Sequence, residues 1–179
     1  MEELKKRKTT RLKGADYDHN KIVFLTICTQ NRRCILSRIV GTGVLDGPSV
    51  SPYIELTHYG KIADKYINQL NAFYDNISVE NYVIMPNHIH ILLWIKNEHN
   101  ETTVTDQITT TAQNTITARF LSTFKRFCNK ECGENIWQYR SYDHIIRNRK
   151  DYEEHLQYIH QNPAKWFFDE LYADDSVFF

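Results

Sequence analysis

The feature that most constrains this chain is residues 85–95, MPNHIHILLWI, where two histidines stand one residue apart in an otherwise apolar run. Met-Pro-Asn is typical of a tight turn, and HIHILLWI predicts a strand. Residues i and i+2 of a strand share a face, so His88 and His90 should project side by side while Ile89 and Ile91 point into the core. Two neighbouring imidazoles suit a divalent cation, or they are half-buried histidines satisfied by hydrogen bonds. A third ligand is needed to choose between these alternatives.

Hydrophobic periodicity along the rest of the chain predicts an α+β domain. Strands are predicted at residues 21–29, 78–84, 88–95 and 142–147, and helices at 57–74, 116–133 and 151–161. We expect Thr57 to cap the first helix, Gly133 to end the second and Pro163 to stop the third. Residues 35–57, punctuated by Gly and Pro, predict short strands or a hairpin. The order β-α-β-β-α-β-α is typical of a ferredoxin-like antiparallel sheet with helices on one face, followed by a C-terminal helix.

The 179 residues suit one domain, with residues 1–19 as a basic arm and residues 97–115, rich in Thr, as a mobile loop. No apolar run reaches 18 residues and the first residues lack a signal-peptide core, so we expect a cytoplasmic protein with no membrane span. The four cysteines match no zinc-binding or CxxC spacing, which favours free thiols.

Lysine and arginine are concentrated in residues 1–13 and in residues 116–150, although the chain has no net charge. These segments could form a basic face that contacts phosphates, or could be ordinary solvated charge. Together with the pair in the turn after the first strand, the candidate contacts to DNA are Lys5, Lys6, Arg7, Lys8, Arg11, Arg32, Arg33, Arg119, Lys125 and Arg126.

The last predicted helix carries a second set of candidate functional residues. Tyr152, Leu156 and Ile159 form its apolar stripe, and Tyr158 lies off that stripe with Asn162 one turn further along the same flank. If this flank faces the histidines, it brings a tyrosine nucleophile beside a third metal ligand. The alternative is a partly exposed helix tyrosine, followed by an asparagine that only ends the helix before Pro163.

Three stretches in this order resemble the single-tyrosine transposases of the HUH superfamily, those of insertion sequences and the REP-associated tyrosine transposases. The stretches are NKIVFLTICTQNR, YVIMPNHIHILL and IWQYRSYDHIIRNRKDYEEHLQYIHQNPAKW, and the resemblance covers most of residues 17–166. It implies that His88 and His90 bind the metal, that Tyr158 is the catalytic tyrosine and that Asn162 is the third ligand. The insertion-sequence branch typically has Gln at that position, whereas Asn is closer to the REP-associated branch.

The resemblance also implies the chemistry and the partner. Such an enzyme cuts and rejoins single-stranded DNA beside hairpin-forming repeats, through a 5′-phosphotyrosine intermediate and with Mg²⁺ or Mn²⁺. It would act as a monomer or a homodimer. Two imidazoles suit Mn²⁺ better than Mg²⁺, which prefers oxygen ligands. Trp137, Tyr139 and Tyr142 could stack on unpaired bases, and His155 could assist proton transfer at Tyr158.

Three other functions are compatible with parts of this pattern. A domesticated DNA-binding module would keep the fold and the basic face without strand transfer. A metallohydrolase unrelated to DNA would need a further ligand, and the sequence offers none with clear spacing. An RNA-binding ferredoxin-like domain would carry an aromatic ribonucleoprotein signature, which is absent from the sequence.

Overall fold

A four-stranded antiparallel sheet is the centre of the fold in the computed structural model, which describes residues 21–41, 52–96 and 116–173. The elements in chain order are β1 (Lys21–Cys28), β2 (Ser37–Val40), β3 (Tyr53–Leu56), α1 (His58–Phe73), β4 (Ile77–Ile84), β5 (His88–Ile95), α2 (Ile116–Cys132), β6 (Tyr142–Ile145) and α3 (Arg149–Gln161). The main sheet has the strand order β4-β5-β1-β6, so each helical crossover joins two strands that have a third between them. The predicted ferredoxin-like α+β fold is confirmed.

One face of the sheet packs against α1 and α2. Alternate residues of β1 and β5, such as Leu25 and Ile89, meet Ile67 from α1 and Phe120 and Phe124 from α2, and all five side chains are fully buried. Burying each such side chain stabilises the fold by about 1.5–3 kcal/mol. Phe120 and Phe124 of α2 therefore belong to the core.

The opposite face of the sheet is covered by α3 and by the 3-10 helix that follows it at Pro163–Phe168. Phe24 and Leu92 alternate with the first set of core residues, and they are buried against Ile159 and Trp166. A central strand that is apolar on both faces needs a cover on each side. The C-terminal helix therefore lies on the face that carries His88 and His90, away from α1 and α2.

Side-chain caps set the helix boundaries. The Thr57 hydroxyl accepts a hydrogen bond from the Gly60 backbone N–H at 3.2 Å, as expected of an N-cap. Asn148 caps α3 in the same way, so that helix begins at Arg149, two residues before the predicted start. Gly133 follows α2 with a φ of 73°, the left-handed conformation that favours glycine after a helix. The predicted N-cap at Thr57 and helix end at Gly133 are confirmed.

Residues 35–57 contain the antiparallel pair β2 and β3, as the hairpin prediction requires, although residues 42–51 lie outside the described residues. The basic arm at residues 1–19, with its candidate DNA contacts Lys5, Lys6, Arg7, Lys8 and Arg11, also lies outside them, as does the loop at 97–115. None of the helices in the described ranges is long and apolar enough to cross a bilayer. No disulfide joins the four cysteines.

Gly60 is expected to tolerate no side chain. It is buried in the first turn of α1, and a Cβ there would overlap the carbonyl oxygen of Leu36. We expect Gly60→Ala to lower the free energy of unfolding by about 1–3 kcal/mol, although Ala is the better helix former. Urea denaturation followed by circular dichroism measures this change. Lys61 is exposed, so Lys61→Ala serves as the control. An unaltered urea midpoint for Gly60→Ala would contradict the packing argument.

Candidate active site

The two histidines of β5 lie side by side beneath α3. In the antiparallel register His88 lies opposite Cys28 and His90 opposite Thr26, on the sheet face away from α1 and α2. The imidazole ring centroids are 4.5 Å apart, and the residues are 0% and 2% exposed. The predicted side-by-side placement is observed, and both rings are buried rather than half-exposed.

Hydrogen bonds orient both imidazoles in the same way. The Asn87 amide nitrogen donates to the Leu171 carbonyl at 2.8 Å, which leaves its Oδ1 to accept from Nδ1 of His88, also at 2.8 Å. Nδ1 of His90 lies 2.9 Å from the Thr26 hydroxyl. With Nδ1 engaged, the Nε2 lone pair of each ring is the one available to a metal ion.

Burial keeps both imidazoles neutral. Burial, with a smaller contribution from Arg32, lowers the pKa of His88 to about 3. Burial also holds the pKa of His90 well below its usual value, and the neighbouring His88 adds to this effect. Both rings are therefore unprotonated at neutral pH, the form that binds metals.

Helix α3 and the residues after it bring Tyr158 and Asn162 to the histidines. The Tyr158 ring lies 5.0 Å from the His90 ring, edge to face, and is 43% exposed. Asn162 is buried at the end of the helix, where its backbone N–H still bonds the Tyr158 carbonyl. Of the two alternatives left open by the sequence, the structure has the Tyr158 flank of α3 facing the His pair.

Asp169 is a functional candidate that the sequence reasoning missed. Its Oδ2 accepts hydrogen bonds from the Tyr158 hydroxyl at 3.2 Å and from the Asn162 amide nitrogen at 3.0 Å. A carboxylate oxygen of Asp169 and one nitrogen each of His88 and His90 lie within 4.8 Å of one another. No spacing rule points to Asp169, because the 3-10 helix at Pro163–Phe168 is what turns the chain back to the site.

The side chains around His88 and His90 offer the nitrogen and oxygen atoms that bind metals, and some of these atoms have no hydrogen-bond partner. Five buried side-chain nitrogen and oxygen atoms in the described part of the chain have no hydrogen-bond partner, and three of them are Nε2 of His88, Nε2 of His90 and Oδ1 of Asn162. Each buried polar atom left unpaired costs about 1–3 kcal/mol. Because Asp169 holds the Asn162 amide nitrogen, Oδ1 is the atom that remains for a ligand. The three residues therefore fit a divalent cation.

The hydroxyl of Tyr158 is held protonated in this state. Burial, the negative charge of Asp169 and the hydrogen bond to Asp169 raise the pKa of Tyr158 to about 12. A protonated phenol is a weak nucleophile, so attack by Tyr158 requires an acceptor for its proton. The Asp169 carboxylate is already bonded to that proton.

An open cleft of about 1170 Å³ leads to Tyr158 and His90, and two arginines line it. Arg32 has a φ of 54°, a costly backbone conformation for a residue other than glycine, and its guanidinium bonds the Glu170 carbonyl at 3.4 Å. Arg140 is exposed on the facing segment. Arg32 was predicted as a DNA contact, whereas Arg140 was not singled out.

The other predicted cations within the described residues do not line the cleft. Arg33 forms an ion pair with Glu134 at 3.1 Å. Lys125 donates to the carbonyls of Gln138 and Tyr139 at 2.8 and 3.2 Å, and burial lowers its pKa to about 8. Arg119 and Arg126 are exposed on α2, the helix on the far face of the sheet. Their contact with DNA stays a prediction.

The aromatic residues that were expected to stack on unpaired bases differ in how far they are exposed. Trp137 is 5% exposed and packs on Phe124 at 5.4 Å between ring centroids, so it belongs to the core. Tyr139 and Tyr142 are 94% and 52% exposed, and Tyr142 lines the cleft. Nδ1 of His155 bonds the Asp151 backbone carbonyl at 2.8 Å. That nitrogen is therefore directed at Asp151 and not at the Tyr158 hydroxyl.

Two transposases are similar in sequence to parts of this chain. No protein-family model matches the chain. A Haemophilus influenzae protein provisionally named a REP-associated tyrosine transposase is 31% identical over 129 residues, which are 61% of this chain. The REP-associated tyrosine transposase of Escherichia coli K12 is 34% identical over 85 residues, 47% of this chain. The chain is similar in sequence to these REP-associated tyrosine transposases. The two alignments span 65% and 42% of those transposases.

A solved structure shares the fold of this chain. It is described as a REP-associated tyrosine transposase bound to a REP hairpin, and it superposes with a TM-score of 0.55 at 24% sequence identity. The match covers 87% of this chain and 73% of the other. At that identity the match supports the fold.

Proposed function

We propose that this chain is a metal-dependent single-strand DNA endonuclease and strand transferase that uses Tyr158 as its nucleophile in transposition. One observation carries the proposal. Two buried, neutral imidazoles direct unpartnered Nε2 atoms into the site where a tyrosine hydroxyl stands at the end of an open cleft. A site for structural metal alone would not need a tyrosine that is 43% exposed beside its ligands.

The metal ligands in this proposal are Nε2 of His88, Nε2 of His90 and Oδ1 of Asn162, with the Asp169 carboxylate close enough to join them. When bound, a divalent cation supplies positive charge that offsets the charge developing on the scissile phosphate and on the leaving oxygen. Mn²⁺ or Mg²⁺ is the expected ion, and the two imidazoles favour Mn²⁺.

Cleavage follows from the position of the Tyr158 hydroxyl. Its oxygen attacks the phosphorus and the bond from phosphorus to the 3′ oxygen breaks. The products are a 5′-phosphotyrosine and a 3′ oxygen that takes a proton from water to become a free 3′-hydroxyl. The phenolic proton passes to Oδ2 of Asp169, which already accepts it in a hydrogen bond. Attack by a 3′-hydroxyl on the phosphotyrosine reverses the step and joins a strand, so no external energy source is needed.

The proposed substrate is single-stranded DNA that carries a hairpin repeat, in line with the REP hairpin bound by the related transposase. Arg32 and Arg140 would bind phosphates in the cleft, and Tyr142 would stack on an unpaired base. In this proposal all the catalytic groups come from one chain, and the protein acts as a monomer or as a homodimer.

The test is formation of a covalent protein–DNA adduct. Chelator-treated full-length protein is incubated with single-stranded oligonucleotides from the DNA flanking its gene, with Mn²⁺, Mg²⁺ or EDTA, and resolved on a denaturing gel. We expect an adduct only with metal and only with hairpin-forming oligonucleotides.

His90→Ala should reduce the adduct by about 100-fold or more, because several kcal/mol of charge stabilisation is lost. His160→Ala is the matched control, since His160 is an exposed histidine of the same helix as Tyr158. Tight hairpin binding with no adduct under any metal would contradict the proposal and identify a DNA-binding module.

A further inference from the structure

A second group of metal-ligating side chains lies where β6 meets α3. Nε2 of His144 is 3.0 Å from both carboxylate oxygens of Asp151, and Nδ1 of His155 is 3.1 Å from one of them. One ligand atom from each of the three residues lies within 4.8 Å of the other two. The His144 and His155 rings stack at 4.8 Å between centroids with their planes 12° apart.

Local structure holds this cluster in place. Asp151 and His155 are one turn apart on α3, the i and i+4 spacing that places two side chains on one helix face. The Asn148 cap starts the helix three residues after β6, and the Arg147 backbone N–H donates to the Asp151 carboxylate at 2.9 Å. The strand and the helix therefore present their ligands to each other across a very short connection.

The cluster has the chemistry of a transition-metal site. Ligand atoms bonded to one ion at about 2.1 Å lie about 3 Å apart when they occupy neighbouring coordination positions. The contacts of His144 and His155 with the Asp151 carboxylate have this length. Burial alone would raise the pKa of the Asp151 carboxyl, but the Arg147 N–H and the His144 ring outweigh burial and lower it, so the carboxylate is anionic.

The cluster is separate from the site of the proposed cleavage. The Phe24 ring lies between them, 4.6 Å from the His155 ring and 5.1 Å from the His90 ring. The two groups share no ligand. The side chains of His144, His155 and Asp151 are 25%, 24% and 17% exposed, so coordination positions remain open to water or to a phosphate oxygen.

We propose that His144, Asp151 and His155 form a second divalent transition-metal site on the wall of the cleft, independent of the ion held by His88 and His90. Mn²⁺, Co²⁺, Ni²⁺ and Zn²⁺ suit two imidazoles and one carboxylate, whereas Mg²⁺ does not. Metal binding replaces the hydrogen on Nε2 of His144, now directed at the Asp151 carboxylate, and the hydrogen on Nδ1 of His155, which also bonds the Asp151 backbone carbonyl at 2.8 Å. Those hydrogens move to the other ring nitrogens or to solvent. Since His155 lines the cleft, the ion would add positive charge on the side along which DNA phosphates would pass.

The alternative is a hydrogen-bonded ion pair that only fastens β6 to α3. Metal stoichiometry separates the two, with Co²⁺ as the probe. Untagged, chelator-treated full-length protein is dialysed against Co²⁺, the bound metal is counted, and the visible absorption of Co²⁺ is recorded. The wild-type protein should bind two ions.

Asp151→Asn is the sharpest variant, because its amide oxygen can still accept from the Arg147 N–H and from His144, while the negative charge that attracts a cation between two imidazoles is lost. It should bind one ion, and so should the double variant His144→Ala/His155→Ala. The double variant His88→Ala/His90→Ala should lose the other ion and keep this one. His160→Ala should retain both. Circular dichroism checks that each variant is folded.

Equal Co²⁺ stoichiometry in wild-type protein and in Asp151→Asn would overturn the second site and leave the ion pair. Loss of one ion in Asp151→Asn but none in His88→Ala/His90→Ala would support the second site while contradicting the first. The failure of one site is thus distinguishable from the failure of the other.

Discussion

Tyr158→Phe is expected to abolish the covalent protein–DNA adduct, with a loss in cleavage rate of about 10⁴-fold or more, because it removes the nucleophile itself. The same change should alter the free energy of unfolding by less than about 1 kcal/mol. The hydroxyl is 3.2 Å from Asp169 and belongs to a residue that is 43% exposed, so its removal leaves no cavity. Hairpin binding should therefore be retained while chemistry is lost. Single-turnover cleavage in Mn²⁺ and a binding titration in the absence of metal measure the two effects.

Tyr152→Phe is the matched control for this prediction. Tyr152 lies on the same helix and packs into the cluster with Phe24 and Ile159, and the proposed mechanism gives its hydroxyl no part. Its variant should form the adduct at a rate close to that of the wild-type protein. If Tyr158→Phe still forms an adduct that survives denaturation, the nucleophile is another tyrosine, and mass spectrometry of the DNA-linked peptide would identify it.

Acid should destabilise the metal-free protein by several kcal/mol between pH 6.5 and pH 3. Burial depresses the pKa of His88 to about 3 and that of His90 well below its usual value, whereas both titrate near 6.5 in the unfolded chain. Below pH 6.5 the unfolded chain therefore binds protons that the folded protein does not. Stability falls with each further drop in pH, by about 1.4 kcal/mol per pH unit for each histidine, until the folded pKa is reached.

Urea denaturation in EDTA at pH 7, 6, 5 and 4 measures this dependence. His88→Gln removes one of the two buried imidazoles, so its unfolding free energy should decline less steeply below pH 6.5 than that of the wild-type protein. His160→Gln alters an exposed histidine and should leave the wild-type slope unchanged. Identical slopes for all three proteins would show that carboxylates alone govern acid unfolding, contrary to the burial argument.

Much of the fold could be predicted from the sequence, because strand alternation, helix caps and helical spacing each depend on residues only a few positions apart. Alternation in HIHILLWI places both histidines on one strand face, since successive side chains of any strand point to opposite sides. A threonine hydroxyl at residue 57 caps a helix through a backbone N–H three residues away, and a glycine at 133 adopts positive φ at little cost. The tyrosine and the asparagine of α3 share a flank for the same reason, namely the 3.6-residue turn.

Only the tertiary structure determines which faces of the sheet and helices pack together, and which side chains remain available to bind a metal or DNA. Helix α3 lies over the histidine face because β1 and β5 are apolar on both sides and α1 and α2 already cover one of them. Asp169 enters the site through a 3-10 turn whose closure depends on Trp166 being buried beside His88. Lys125, a candidate phosphate contact by sequence, is instead engaged by two backbone carbonyls. Contacts between residues far apart in the chain depend on how the whole surface is covered, and no local spacing encodes them.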